Sequence, residues 1–165
     1  MNMVRVIRFR AMPQLVLVFS LSVLVVIDCF AVVVLSSVVN PAFGDLLGGA
    51  SGRNFILGTN GVVSGSNAAD YVSGAYAGSL LITGNASQSI SVQATNLTAN
   101  GGVSIANVTC NYNGGGDTDC VAGFTGVPPD VTGKTLLIGV EINTTTIHGD
   151  NATASPGFDV VVNYI

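Results

Sequence analysis

Beyond residue 31 the apolar and polar positions alternate in short runs, and Gly, Asn, Ser and Pro separate the runs. Alternation with a period of two puts successive side chains on opposite faces, which predicts half-buried β-strands. The run SISVQA (89–94) sets Ile90, Val92 and Ala94 on one face. KTLLIGVEIN (134–143) sets Leu136, Ile138, Val140 and Ile142 against Thr135, Leu137, Gly139, Glu141 and Asn143. GFDVVVNYI (157–165) sets Phe158, Val160, Val162 and Tyr164 against Asp159, Val161, Asn163 and Ile165. VSIANVTC (103–110) continues the pattern, and RNFIL (53–57) and SLLIT (79–83) are shorter runs that end at turn signals. VVVLSSVV (32–39) is β-branched and holds no turn residue.

These seven strands predict an all-β fold, an Ig-like antiparallel β-sandwich of about seven strands, as one domain over residues 32–165. Residues 111–133, with GGGD and GVPPD, are predicted to form long loops. No internal repeat argues for a solenoid or propeller.

The first 31 residues follow another pattern. Arg5, Arg8 and Arg10 precede an apolar run at 15–27, and Cys29 and Ala31 make a small-x-small site. This is the layout of a secretory signal peptide over 1–31, a helix cleaved after Ala31. A cut after Ala42 and an uncleaved anchor are the alternatives. Asp28 disfavours the anchor, because a charge in the bilayer is costly.

Cleavage changes the charge. Beyond residue 31 only Arg53 and Lys134 are basic, against eight acids, so the exported chain carries a net charge of −6. That excludes nucleic acid as a partner, since phosphates need Lys and Arg. It also confines contact with the membrane to the signal segment before cleavage. Two cysteines remain, Cys110 and Cys120, around a short Gly-rich loop. In an exported chain this pair predicts a disulfide.

Candidate chemistry is sparse. His148 is the only imidazole, in a turn-like stretch, and no serine sits in a nucleophile elbow. No enzyme activity, cofactor or resident metal is expected. Asp117 and Asp119 form a D-x-D pair of a kind that can hold Ca²⁺, with Asp130 and Asp150 as conceivable helpers. The alternative is a loop kept soluble by its acids. Five N-x-S/T sequons, at Asn85, Asn96, Asn107, Asn143 and Asn151, read as chance in an Asn- and Thr-rich β-protein.

Five segments, taken in order, resemble one family: FGDLLGG (43–49), GTNG (58–61), SGAYAGSLLITG (73–84), TLLIGVEI (135–142) and GFDVVVNY (157–164). The family is the bacterial secreted domain-of-unknown-function family four-four-zero-two. Its members look like fimbrial subunits with an Ig-like sandwich related to common-pilus fimbrillins. The resemblance implies a secreted, non-catalytic structural subunit in the periplasm, at the outer surface or in an extracellular fibre. The implied partners are further copies or other fimbrial subunits, with an export chaperone. In many pilins the last strand borders a groove that a neighbour's N-terminal strand fills, and Phe158, Val160, Val162 and Tyr164 match that look. Ordinary closure of the chain's own sheet is the alternative. Residues 32–39 are accordingly expected either to pair within their own sandwich or to enter the next subunit. In either place Val32, Val34 and the Val38/Val39 pair are expected to insert into the core beside Phe158 and Tyr164. The alternative function is a monomeric periplasmic or cell-surface binding module for a glycan or protein ligand.

Overall fold

A computed structural model describes residues 32–47, 49, 51–147 and 152–165. The signal segment 1–31 with its cleavage site after Ala31 lies outside the described residues, as do His148, Asp150 and Asn151. Among the described residues the fold is nearly all β. The strands are β1 (Val34–Val39), β2 (Asp45–Leu46), β3 (Asn54–Leu57), β4 (Val63–Ser64), β5 (Tyr71–Ser73), β6 (Gly78–Thr83), β7 (Ile90–Thr98), β8 (Val103–Tyr112), β9 (Asp117–Asp119), β10 (Phe124–Gly126), β11 (Lys134–Thr144) and β12 (Gly157–Tyr164).

The seven runs read from the sequence are β1, β3, β6, β7, β8, β11 and β12. The five others have two or three residues each. β9, β10 and the end of β8 fall in 111–133, which was expected to be loop. Runs as short as Asp117–Asp119 contain too few residues to show a period. They become strands because the neighbouring edges of β8 and β7 are there to pair with.

Antiparallel pairing builds two facing sheets. The larger is organised around β11, whose one edge pairs with β8, and β8 with β9. The opposite edge of β11 is shared. Lys134–Ile138 pairs with β6, which carries β1, and Val140–Asn143 pairs with β3, which carries β4. Gly139 sits at the handover, where a Cβ would lie 2.5 Å from the Leu57 carbonyl oxygen. The smaller sheet has the order β10-β7-β12, and β2 and β5 form a separate ribbon.

The core lies between the sheets. Phe55, Leu80, Ile82, Val108, Cys110, Leu136, Ile138, Val140 and Ile142 face Ile90, Val92 and Ala94, with Phe158, Val160, Val162 and Tyr164 packed against them. Full burial of each aliphatic side chain contributes about 1.5–3 kcal/mol. The inward faces of β7, β11 and β12 are thus the ones their alternation predicts.

Three bulges break that alternation. In β7 the bulge lies at Asn96, which adopts φ 53°, so Leu97 rather than Asn96 follows Ala94 inward. In β8, Ala106 is the extra residue, and the inward set passes from Val103 and Ile105 to Val108, Cys110 and Tyr112. In β1 the register slips between Ser36 and Val39, around Ser37 at φ 51°.

The β1 bulge and pairing correct the expected orientation of this strand. Val32, Val34, Val38 and Val39 are exposed, at 42, 43, 41 and 46 %. Val33 and Leu35 pack against the core instead. Leu35 lies opposite the fully buried Ile82, and directly opposed residues share a face of the sheet. In VVVLSS both parities are apolar, so periodicity alone cannot choose between them. The bulge then leaves both Val38 and Val39 outward.

Candidate assembly edge

Among the described residues β12 pairs with β7 alone. Ile165 N donates to Ser89 O at 3.1 Å, and Gly157 N donates to Thr98 Oγ1 at 3.2 Å. These contacts turn the main-chain groups of the odd-numbered residues toward β7. Since backbone polar groups alternate along a strand, those of Phe158, Val160, Val162 and Tyr164 point away from β7. Among the described residues no strand pairs with that side. β12 is therefore an eight-residue strand whose even-numbered side chains pack against the core while, among the described residues, one side of its main chain has no strand partner.

β1 borders the same flank as the outer strand of the larger sheet. The Tyr164 hydroxyl lies 3.5 Å from the Val32 carbonyl and accepts a hydrogen bond from Asn85 N. Gly84 makes room for that hydroxyl, because a Cβ at Gly84 would overlap it. At this flank β1 and β12 meet at the Tyr164–Val32 contact, and Phe158, Val160, Val162 and Tyr164, like Val33 and Leu35, each pack against the core. Val32, Val34 and Val38 lie on the strand's outer side. Sequence reasoning missed Val33, Leu35, Gly84 and Asn85, because only cross-strand pairing distinguishes them.

Cys110 and Cys120 form the predicted disulfide, with Cα atoms 5.4 Å apart and both residues fully buried. The bond joins β8 to the residue after β9. Cys120 N donates to Val108 O at 2.8 Å in the larger sheet, and Cys120 O accepts from Ala94 N at 2.7 Å in the smaller one. It thus pins the point where the chain passes from one sheet to the other. A buried structural disulfide points to an oxidising compartment outside the cytoplasm. Among the described residues no helix is long and apolar enough to cross a membrane.

The loop acids are engaged in the fold. Asp117 Oδ1 accepts from Thr59 Oγ1 at 2.6 Å and from Asn111 Nδ2 at 3.1 Å, tying the β8–β9 hairpin to the β3–β4 turn. Asp119 Oδ1 accepts from Val121 N and Ala122 N at 2.9 and 3.2 Å. Asp130 Oδ1 accepts from the Thr132 hydroxyl and from the Gly133 amide, which hold this carboxyl below the usual range. Among the described residues no three His, Cys, Asp or Glu side chains converge as a metal-binding group.

The basic groups are engaged too. Arg53 pairs with Asp70 at 3.2 Å and donates to Leu47 O at 3.0 Å, and Lys134 Nζ donates to Pro128 O at 2.6 Å. The four described sequon asparagines also make structural hydrogen bonds. Asn96 donates to Asp159, Asn143 accepts from Asn54, Asn85 accepts from Ser87 N, and Asn107 accepts from Val108 N.

Tyr112 is the most perturbed titrating group among the described residues. Its buried hydroxyl has no hydrogen-bond partner there. Burial, reinforced by Asp130 and Tyr164, pushes its pKa up to about 12, so it stays protonated at neutral pH. No protein-family model matches the chain, and no curated protein or solved structure matches it either.

Proposed function

We propose that residues 32–165 are an exported, non-catalytic structural subunit of a surface fibre or fimbria-like appendage, assembled by strand donation. The observation that carries this reading is the open edge of β12 beside β1. An exposed edge of this length is a template for an added strand, which supplies the missing main-chain partners while alternate side chains enter the groove. The buried disulfide supports export, and the five ordered motifs that resemble fimbrial subunits support the appendage. Further copies or other subunits are the partners, and a chaperone covers the edge until assembly. The test is electron microscopy of the purified exported chain and of cells overproducing it. Filaments that vanish on gene deletion are expected. A monodisperse particle with no filament under either condition overturns the proposal.

A second reading rests on β1, which pairs with β6 of its own chain and places Val33 and Leu35 against its own core. That arrangement favours a self-contained, monomeric periplasmic or cell-surface binding module. A stable monomer that captures a glycan or protein ligand supports it.

A further inference from the structure

The outer face of the smaller sheet carries polar side chains in register across three strands. Thr125, Ser91 and Asn163 lie side by side on β10, β7 and β12, and Gln93 and Val161 form the next row. Because Ile90, Val92 and Ala94 face the core, Ser91 and Gln93 face outward. Together with Gly123 these residues line a concavity of about 310 Å³ that is open to solvent.

One wall is the segment that follows the disulfide. Cys120 is fixed by its bond to Cys110, Asp119 caps the Val121 and Ala122 amides, and Gln93 Nε2 donates to Val121 O at 3.1 Å. Gly123, at φ 79°, adds no side chain over Gln93. The wall is therefore preorganised, which lowers the ordering cost of binding. The volume lies at the small end of the roughly 300–1,000 Å³ typical of small-molecule sites.

Charge narrows the ligand. None of the lining side chains is ionic, so neither an anion nor a cation finds a counter-charge there. Arg53 and Lys134, the only basic residues beyond 31, are bound elsewhere. Ser and Thr hydroxyls and Asn and Gln amides both donate and accept hydrogen bonds, which suits a ligand rich in hydroxyls. Val161, 39 % exposed, offers an apolar spot for the C–H face of a sugar ring.

From this chemistry we infer that the outer face of β10-β7-β12 is a binding site for a neutral saccharide unit. The site shares Val161 and Asn163 with β12, but it lies on the outer face of the sheet and not along the main-chain edge. A shallow site of this kind binds weakly, with a Kd on the order of 1 mM.

The test is an amide NMR titration of the exported, disulfide-bonded protein with lactose, maltose, cellobiose, mannobiose and chitobiose, and with glucuronate as the acidic counterpart. Saturable shifts confined to residues 91–93, 123–125 and 161–163 are expected with at least one neutral disaccharide. Gln93→Ala and Asn163→Ala, both at exposed positions, should each weaken that binding about fivefold while keeping dispersed spectra. Thr135→Ala, on the other sheet, should leave it unchanged. Shifts with none of the disaccharides, shifts elsewhere, preference for glucuronate, or indifference to both variants overturns the inference.

Discussion

Two positions show how single residues bear on this fold. The buried Tyr112 hydroxyl pays a desolvation cost without a partner among the described residues. Tyr112→Phe is therefore expected to be neutral or stabilising, by up to about 1 kcal/mol in chemical denaturation. The pH dependence has a definite sign. The folded state raises this pKa from 10.0 to about 12, so it favours the neutral phenol. That contribution is intact below the unfolded value and is lost as pH rises through the folded one. Wild type should lose stability in this alkaline window more steeply than Tyr112→Phe, and melts across that range check it. At Gly139 the constraint is steric, because a Cβ would meet the Leu57 carbonyl, the Gly58 carbonyl carbon and the Thr59 amide nitrogen. Backbone gives way less easily than a side-chain tip. Gly139→Val is expected to cost about 3 kcal/mol, read from urea midpoints.

The strands set the next scale. In β1, pairing with β6 decides which side chains face inward, and alanine scanning reads that choice directly. Leu35→Ala should destabilise by about 2 kcal/mol, whereas Val34→Ala should stay within about 0.5 kcal/mol. Equal losses would mean that the strand pairs in the other parity. The β8–β9 hairpin offers a second check. Its disulfide closes a loop with a sequence separation of 10 and fixes the passage between sheets. Reduction, or the Cys110→Ala/Cys120→Ala double variant, should cost about 2–3 kcal/mol. The seven longer strands were legible because each is an alternating or β-branched apolar run, most of them bounded by turn residues. The bulges at Ser37, Asn96 and Ala106 were not, since each answers to a partner strand far away in sequence.

For the whole molecule the decisive relation is between the two edges on one flank. If β1 is donated between copies, deleting residues 32–39 should yield a soluble subunit that does not assemble. The free peptide VVVLSSVV should then bind it and raise its melting temperature. A full exported chain that remains monomeric, unfolds cooperatively and takes up no labelled peptide would show that β1 only closes its own sheet. Calorimetry and size-exclusion chromatography with the labelled peptide distinguish the two. The concavity on the smaller sheet was illegible for a related reason. Its lining residues come from β7, β10, β12 and the turn before β10, far apart in the chain, and its polar members are ordinary Ser, Thr, Asn and Gln residues.

The sequence by itself determined the β class, the inward faces of β7, β11 and β12, and the cysteine pairing. Each follows from local information: a two-residue period, or two thiols across a short Gly-rich loop. Only the tertiary structure decided which valines of β1 face the core. Only it revealed that Gly139 marks a handover between β6 and β3, and that Asp117 and Asp119 brace loops. These outcomes depend on register. Register is settled where distant strands meet and bury one face together, and an apolar run such as VVVLSSVV carries no record of that meeting.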